Sequence, residues 1–200
     1  MKTFDAPDWM IEPFLKQGIL GPDYYLYGAG RALGFVRTAA YELEVLEDGS
    51  ETVGHQQKIA EYHAYAGISA ARTAIDATAA WLNVRLGLGL GQSSVVNLSR
   101  KDFRTKVLVG RPEAQEYCRV LGDLGREIDE HRQRAQHREG LAVSYYLSQK
   151  LNFLSGWYLR PQGMSGHWED ALLLVELLRS WADEIEDNLR GIHDLVKGGK

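Results

Sequence analysis

Apolar residues recur every three or four positions along most of this chain of 200 residues. That spacing indicates amphipathic α-helices, whereas a half-buried strand alternates apolar and polar residues. The pattern predicts long helices over residues 24–47, 51–86, 112–140 and 168–196, and a short helix near Ser99. Because strand-type alternation is scarce, the expected fold class is all-α, an up-and-down helical bundle of about four main helices with short accessory helices.

The most regular apolar stripes lie on the second and last long helices. Residues 51–86 also hold eight alanines between positions 64 and 80, which favour helix formation and close packing, so this helix is expected at the centre. The last helix opposes its stripe with an acidic outer face. Between residues 141 and 161 the pattern weakens, and residues 143–147 could form a strand, a helix or a packed loop.

No repeat, low-complexity tract or linker divides the chain, so one domain over residues 1–200, with its core from about 24 to 196, is predicted. The hydrophobic fraction of 44% and the charged fraction of 25% are ordinary for a soluble globular protein. No apolar run approaches the roughly 20 residues of a membrane helix. The N-terminus lacks a secretory signal, and a single cysteine, Cys118, cannot form an internal disulfide. These features favour the cytoplasm.

The net charge of −4 hides an uneven distribution. Residues 100–138 contain ten Lys/Arg and seven Asp/Glu, a local charge of +3, which leaves −7 on the rest of the chain. Local positive charge attracts polyanions such as nucleic acid. A solvated helix face of mixed charge accounts for the same composition.

Several familiar sites are excluded. The glycines at positions 87, 89 and 91 lack the strand and the third glycine spacing of a dinucleotide-binding loop, and a loop that ends a helix explains them. The chain has no phosphate-binding P-loop, no His-Glu-x-x-His and no Gly-x-Ser-x-Gly. It has no Glu-x-x-His of the di-iron bundles either, so no metal or other cofactor is expected. Cys118 adjoins an apolar stripe and is expected to be buried and inert.

The most informative segment is residues 129–140, where three arginines and two histidines fall within eight positions (His131, Arg132, Arg134, His137 and Arg138). The planar guanidinium of arginine suits phosphate, and histidine exchanges protons near neutral pH. Together they can deprotonate a ribose 2′-hydroxyl, stabilise a phosphorane and protonate the leaving oxygen. The segment therefore carries the groups needed for metal-free phosphodiester cleavage.

A structural interpretation competes with this chemistry. His131 continues the apolar stripe of its helix, which is typical of a core or interface histidine. Arg132 and His137 are five residues apart, which on a helix separates them by roughly 140° and about 7.5 Å. They would share a site only if the helix ended between them or a partner chain completed the site. Tyr145, Tyr146, Trp157 and Tyr158 likewise could stack on bases or simply pack.

The segment from Arg132 to His137 resembles the Arg-x4-6-His motif of the HEPN superfamily (higher eukaryotes and prokaryotes nucleotide-binding). Residues 74–83 are similar to the central helix of those proteins, and the order of the helices is similar over residues 24–196. Arg126 and His131 also match the spacing, but His131 lies on the apolar stripe, so the match at Arg132 and His137 is preferred. Gln133 stands where the family often has Asn, Asp or His.

The resemblance implies an all-α homodimer with two Arg/His pairs facing each other across a cleft. Active members are metal-independent endoribonucleases of toxin–antitoxin, phage-defence or CRISPR systems. In this chain the resemblance assigns phosphate binding to Arg132 and general acid or base catalysis to His137. It assigns orientation of the RNA to Gln133 and Arg134.

Arg138 and His131 are expected to add to the same RNA-binding surface. The implied partners are RNA, a second copy of the chain, and an antitoxin or another protein; no membrane partner is expected. Other members of the family have lost activity. The alternative is therefore a non-catalytic helical interaction module or a subunit of a defence complex, whose acidic last helix binds a basic partner or masks a basic site.

Overall fold

The computed structural model of the protein describes residues 6–17, 21, 23–47, 53–91, 96–137, 143–146, 156–159 and 171–198. These residues are mostly helical. The six helices described are α1 (Asp8–Gln17), α2 (Asp23–Glu47), α3 (Val53–Arg85), α4 (Lys101–Val107), α5 (Gln115–His137) and α6 (Leu174–Gly198). A 3-10 turn at Pro112–Ala114 leads into α5, as expected for a proline in a first helical turn.

The first correction is a small antiparallel sheet, which adds to a mostly helical fold that agrees broadly with the all-α expectation. Its strands are β1 (Val143–Tyr146), β2 (Gly156–Leu159) and β3 (Leu172–Leu173), in the order β1-β2-β3. In the register, Val143 is opposite Leu159. All four residues of β2 are buried. A strand buried on both faces shows no alternation of apolar and polar residues, so the periodicity could not reveal it.

The start of the last helix is the second correction. The sequence predicted a helix from Trp168, but α6 begins at Leu174, and Leu172–Leu173 pair with β2 instead. The residues from Trp168 to Asp170 lie outside the described residues. An apolar run such as 171–175 suits a buried strand and a buried helix equally, because period alone does not separate them.

α3 is the central helix, as its alanines predicted. It packs against α2, α5, α6 and β1. Its stripe is fully buried through Ile68, Ile75 and Leu82. α2 runs antiparallel to α3, since Gly28 faces Ala77 while Ala39 faces Gly67.

The stripe of α6 is buried at every predicted position (Leu174, Leu178, Trp181, Ile185, Leu189, Ile192 and Val196). On α5, Leu121, Leu124 and Ile128 are likewise buried. The periodicity therefore identified correctly which sides of α3, α5 and α6 face the core.

α1 is an element that the pattern did not predict, and it extends the hydrophobic core to before residue 24. Met10 is fully buried, and a Cβ placed on Gly30 of α2 would lie 3.0 Å from the Met10 Cβ. The Trp9 indole Nε1 donates a hydrogen bond to the Glu186 Oε1 at 3.2 Å. The first helix therefore packs on α2 and is hydrogen-bonded to α6.

The glycines after α3 end that helix, as expected. Gly87 and Gly89 have φ values of +62° and +65°, in the left-handed region that favours glycine. Among the helices of the described chain, none combines the length and the apolar character that crossing a bilayer requires.

Candidate functional site

Arg132 lies one turn and a half before the end of α5, on a helix whose position is fixed by α3 and α6. The Trp181 Nε1 of α6 donates to the Glu127 Oε1 at 3.1 Å. The His131 ring lies 5.7 Å from the Trp181 ring, between centroids. These contacts lock the rotation of α5 just before Arg132.

A buried arginine on α3 organises the charges around Arg132. The Arg72 side chain is 4% exposed, and its guanidinium pairs with Asp76 at 2.9 Å and with the Asp129 Oδ2 at 3.3 Å. It also donates to the Gly125 carbonyl oxygen of α5 at 3.1 Å. The other oxygen of Asp129 lies 3.1 Å from the Arg132 Nη2. We call Arg72, Asp76, Asp129 and Arg132 the ion network.

Gly125 is what allows Arg72 to reach α5. A Cβ at this position would lie 2.6 Å from the Arg72 Nη1 and 3.1 Å from the Ser99 Oγ. Both distances are closer than ordinary contact, so any side chain would displace the buried guanidinium. Because Gly125 has no Cβ, the Arg72 guanidinium of α3 can lie directly against the α5 backbone.

The ion network balances two guanidinium groups against two carboxylates. Burial raises the pKa of the Asp76 carboxyl, although 48% of its side chain is exposed. The nearby Asp129 charge raises this pKa further, while Arg72 and Arg132 lower it. Burying a charge is costly unless it is paired. Each buried charge of the network therefore depends on the presence of its partners.

Within this network Arg132 keeps an accessible side. Its side chain is 36% exposed, although its Nε is buried and has no hydrogen-bond partner among the described residues. The Asp129 Oδ1 lies within ion-pair distance of the Arg132 guanidinium, but it accepts no hydrogen bond of good geometry from a described residue. Arg132 is therefore oriented by a neighbouring carboxylate, and the exposed part of its side chain can meet an anion.

Along the sequence, the net positive charge of this region comes from residues 132–138. Residues 100–131 hold seven basic and seven acidic side chains, so the excess of +3 comes from Arg132, Arg134 and Arg138. Upstream, Arg119 pairs with Glu116 and Asp123, and Arg126 pairs with Asp123. That part of α5 is the solvated face of mixed charge that the composition allowed.

The other predicted site residues have different surroundings. Gln133 is exposed beside Arg132. His131 is 8% exposed and packs on Trp181, which fits a core histidine and argues against direct contact with RNA. The backbone of α5 continues through His137, but the side chains of Arg134 and His137, and all of Arg138, lie outside the described residues.

Two further expectations concern packing. Trp157 and Tyr158 are buried, and the Tyr145 ring meets the Trp157 ring edge-on at 5.1 Å, so these aromatic residues pack rather than form an open stacking platform. Cys118 is fully buried, and burial raises the pKa of its thiol to about 11. The predicted burial of this cysteine is confirmed, and a thiol of that pKa is protonated near neutral pH.

The sequence reasoning missed Arg72, Asp76 and Asp129. One signal was present: Arg72 adjoins the α3 stripe at Ala71 and Ile75, where a charge must find partners, and Asp76 follows at the i+4 spacing. Nothing in the sequence placed Asp129 on the same side as Arg72. That pairing depends on how α3 and α5 pack.

Comparison of the chain with protein-family models, with curated proteins and with solved structures gives no match.

Proposed function

We propose that this protein is a metal-independent endoribonuclease of the HEPN type, possessing a site built on Arg132 and His137. The observation that carries the proposal is the environment of Arg132. Its guanidinium is paired to Asp129, which is itself paired to the buried Arg72, and it remains partly exposed. An arginine held in this way is preorganised for a phosphate, which reduces the entropy cost of binding.

The chemistry assigned to the site is transesterification of RNA. The ribose 2′-oxygen attacks the adjacent phosphorus, the bond to the 5′-oxygen breaks, and a 2′,3′-cyclic phosphate forms. Arg132 neutralises the charge that builds on the phosphorane oxygens. His137 takes the 2′-hydroxyl proton or gives a proton to the leaving 5′-oxygen.

The proposal includes a second copy of the chain. On one continuous helix Arg132 and His137 point about 140° apart and lie about 7.5 Å apart along the axis. Two copies of α5 facing each other across a two-fold axis bring the Arg132 of one protomer towards the His137 of its partner. We also propose that α2, α3, α5 and α6 form the up-and-down bundle that presents these ends.

The test is cleavage of a labelled RNA by purified protein in excess EDTA. Wild type is compared with Arg132→Ala, His137→Ala and Arg126→Ala. Arg126 is the matched control, because it belongs to the other Arg/His pair of motif spacing and its ion-pair partner is an exposed side chain of the same helix. We expect Arg132→Ala and His137→Ala each to reduce the rate at least 100-fold, within the usual range for loss of an acid–base or charge-stabilising group.

Retained activity in both site variants would contradict the site assignment. No cleavage by folded wild type would favour the alternative, a non-catalytic helical interaction module or a subunit of a defence complex. A protein that co-purifies in fixed stoichiometry would then support that alternative.

A further inference from the structure

A groove runs along the seam between α2 and α3, and none of the four residues of the ion network lines it. Its volume is about 580 Å³, within the range of small-molecule sites. The rings of Phe35 and Tyr62 border it, and they are 43% and 69% exposed. Alanines, Ala66 among them, also line it. Exposed rings beside these small residues make a mostly apolar trough.

The groove has one strong charge among its lining residues, the guanidinium of Arg31 on α2. The Arg31 Cζ lies 5.9 Å from the ring centroids of both Tyr27 and Phe35. Cation–π contacts of this kind hold a guanidinium over an aromatic ring while leaving its N–H donors available. Arg31 is exposed, so its donors can meet a ligand at the rim.

The lining also includes the weaker polar groups of His63 and Ser69. Burial lowers the pKa of the His63 imidazole, with Glu42 acting in the opposite direction, so His63 adds little positive charge at neutral pH. The Ser69 Oγ is buried and has no hydrogen-bond partner among the described residues. A buried hydroxyl of this kind is costly unless something supplies a partner.

We propose that this groove binds a small amphipathic monocarboxylate, its apolar body between Phe35 and Tyr62 and its carboxylate on Arg31. The chemistry follows from the lining: one guanidinium matches one carboxylate, and the apolar walls match an aryl or alkyl body. A polyphosphate would require several cations, and the described lining has one.

The test uses 2-naphthoate as the probe and its neutral isostere 2-naphthamide as the matched ligand, measured by isothermal titration calorimetry on the full chain. We expect 1:1 binding of 2-naphthoate and about tenfold weaker binding of 2-naphthamide, the usual contribution of a charge-assisted hydrogen bond. Arg31→Gln should weaken 2-naphthoate about tenfold and remove the difference between the two ligands.

Two more variants separate the groove from general effects. Ala66→Phe adds a large ring to the lining of the groove and should abolish binding of both ligands. Arg85→Gln removes a guanidinium from the last turn of α3, about 18 Å along the helix from Thr73 at the groove's end, and should leave both affinities unchanged. Circular dichroism and the melting temperature establish that each variant is folded, and Arg31→Gln decides the matter if Ala66→Phe does not fold.

Several results would overturn the proposal. They are no saturable binding of 2-naphthoate by wild type at about 1 mM, equal loss of affinity in Arg31→Gln and Arg85→Gln, or unchanged binding in folded Ala66→Phe. Sedimentation velocity on the same samples gives a further one. If Ala66→Phe converts a dimer into a monomer, the groove is a contact between two copies of the chain and not a ligand site.

Discussion

Asp129 is the residue on which the ion network depends, because it connects the buried Arg72 to the accessible Arg132. Asp129→Asn leaves Arg72 with one carboxylate partner, and removing one member of a buried pair leaves an uncompensated charge. We expect a loss of about 2 kcal/mol in the free energy of unfolding, since Asp129 is only partly buried. Urea denaturation measures this loss.

Asp123→Asn on the same helix is the control. Its pairs with Arg119 and Arg126 join exposed side chains, and exposed pairs contribute about 0–1 kcal/mol. In the RNA assay, Asp129→Asn should lower the rate and Asp123→Asn should not. Equal destabilisation by the two variants would show that the network has no special part in the fold.

His193 makes stability depend on pH. Its side chain is 7% exposed, and its ring centroid lies 4.8 Å from that of Trp9 and 5.8 Å from that of Trp81. Burial lowers the pKa of His193, Lys197 lowers it further, and Asp194 and Asp23 act in the opposite direction. The folded protein therefore takes up this proton less readily than the unfolded chain does.

The direction of this pH dependence follows from the linkage between proton binding and folding. Below the unfolded pKa of about 6.5, the unfolded state binds more protons, so stability falls as the pH decreases towards the folded pKa. We expect the melting temperature of wild type to drop from pH 7.5 to pH 5.5. The drop should be smaller in His193→Phe, whose side chain is still an aromatic ring but cannot titrate. Parallel curves for the two proteins would refute this role of His193.

At the scale of elements, Gly125 sets how closely α3 and α5 approach. Gly125→Ala gains helix propensity of about 1 kcal/mol, but its Cβ would lie 2.6 Å from the Arg72 Nη1. Overpacking of this kind costs about 1–3 kcal/mol, and the displaced charge adds to it, so we expect net destabilisation in thermal unfolding.

Gly28→Ala is the matched control, because a Cβ on that helical glycine would meet the Ala77 Cβ at an ordinary 4.0 Å. It should stabilise the protein by up to about 1 kcal/mol. Opposite changes in stability for the two substitutions would separate the effect of the Arg72 contact from the effect of helix propensity. Stabilisation by both would mean that α5 can move away from Arg72 at no cost.

The elements also show what the sequence could predict. The central position of α3 and the inward face of α6 followed from the apolar period and the alanine content. In an amphipathic helix an apolar residue recurs on the buried side at every turn, so the sequence shows which side that is. The sheet did not follow, since a buried strand as short as Gly156–Leu159 has no polar face and therefore no alternation of apolar and polar residues. The ion network did not follow either: pairing between Arg72 and Asp129 is a property of two packed helices.

At the scale of the whole molecule, the proposed nuclease predicts complementation between inactive protomers. If each site takes Arg132 from one protomer and His137 from the other, a mixed dimer of Arg132→Ala and His137→Ala contains one intact site. We expect RNA cleavage to return when the two inactive variants are unfolded, mixed and refolded together. A site within one protomer predicts no recovery, because both protomers are then defective.

The attachment of α1 to α6 has a consequence for the molecule as a cooperative system. The hydrogen bond between Trp9 and Glu186 spans 177 positions, and the Trp9 ring also contacts the His193 ring. Segments that share buried contacts open together, whatever their distance in sequence. In native-state hydrogen exchange, the amides of the first helix and those around Glu186 should therefore exchange as one unit, so that local opening at one end of the chain is reported at the other.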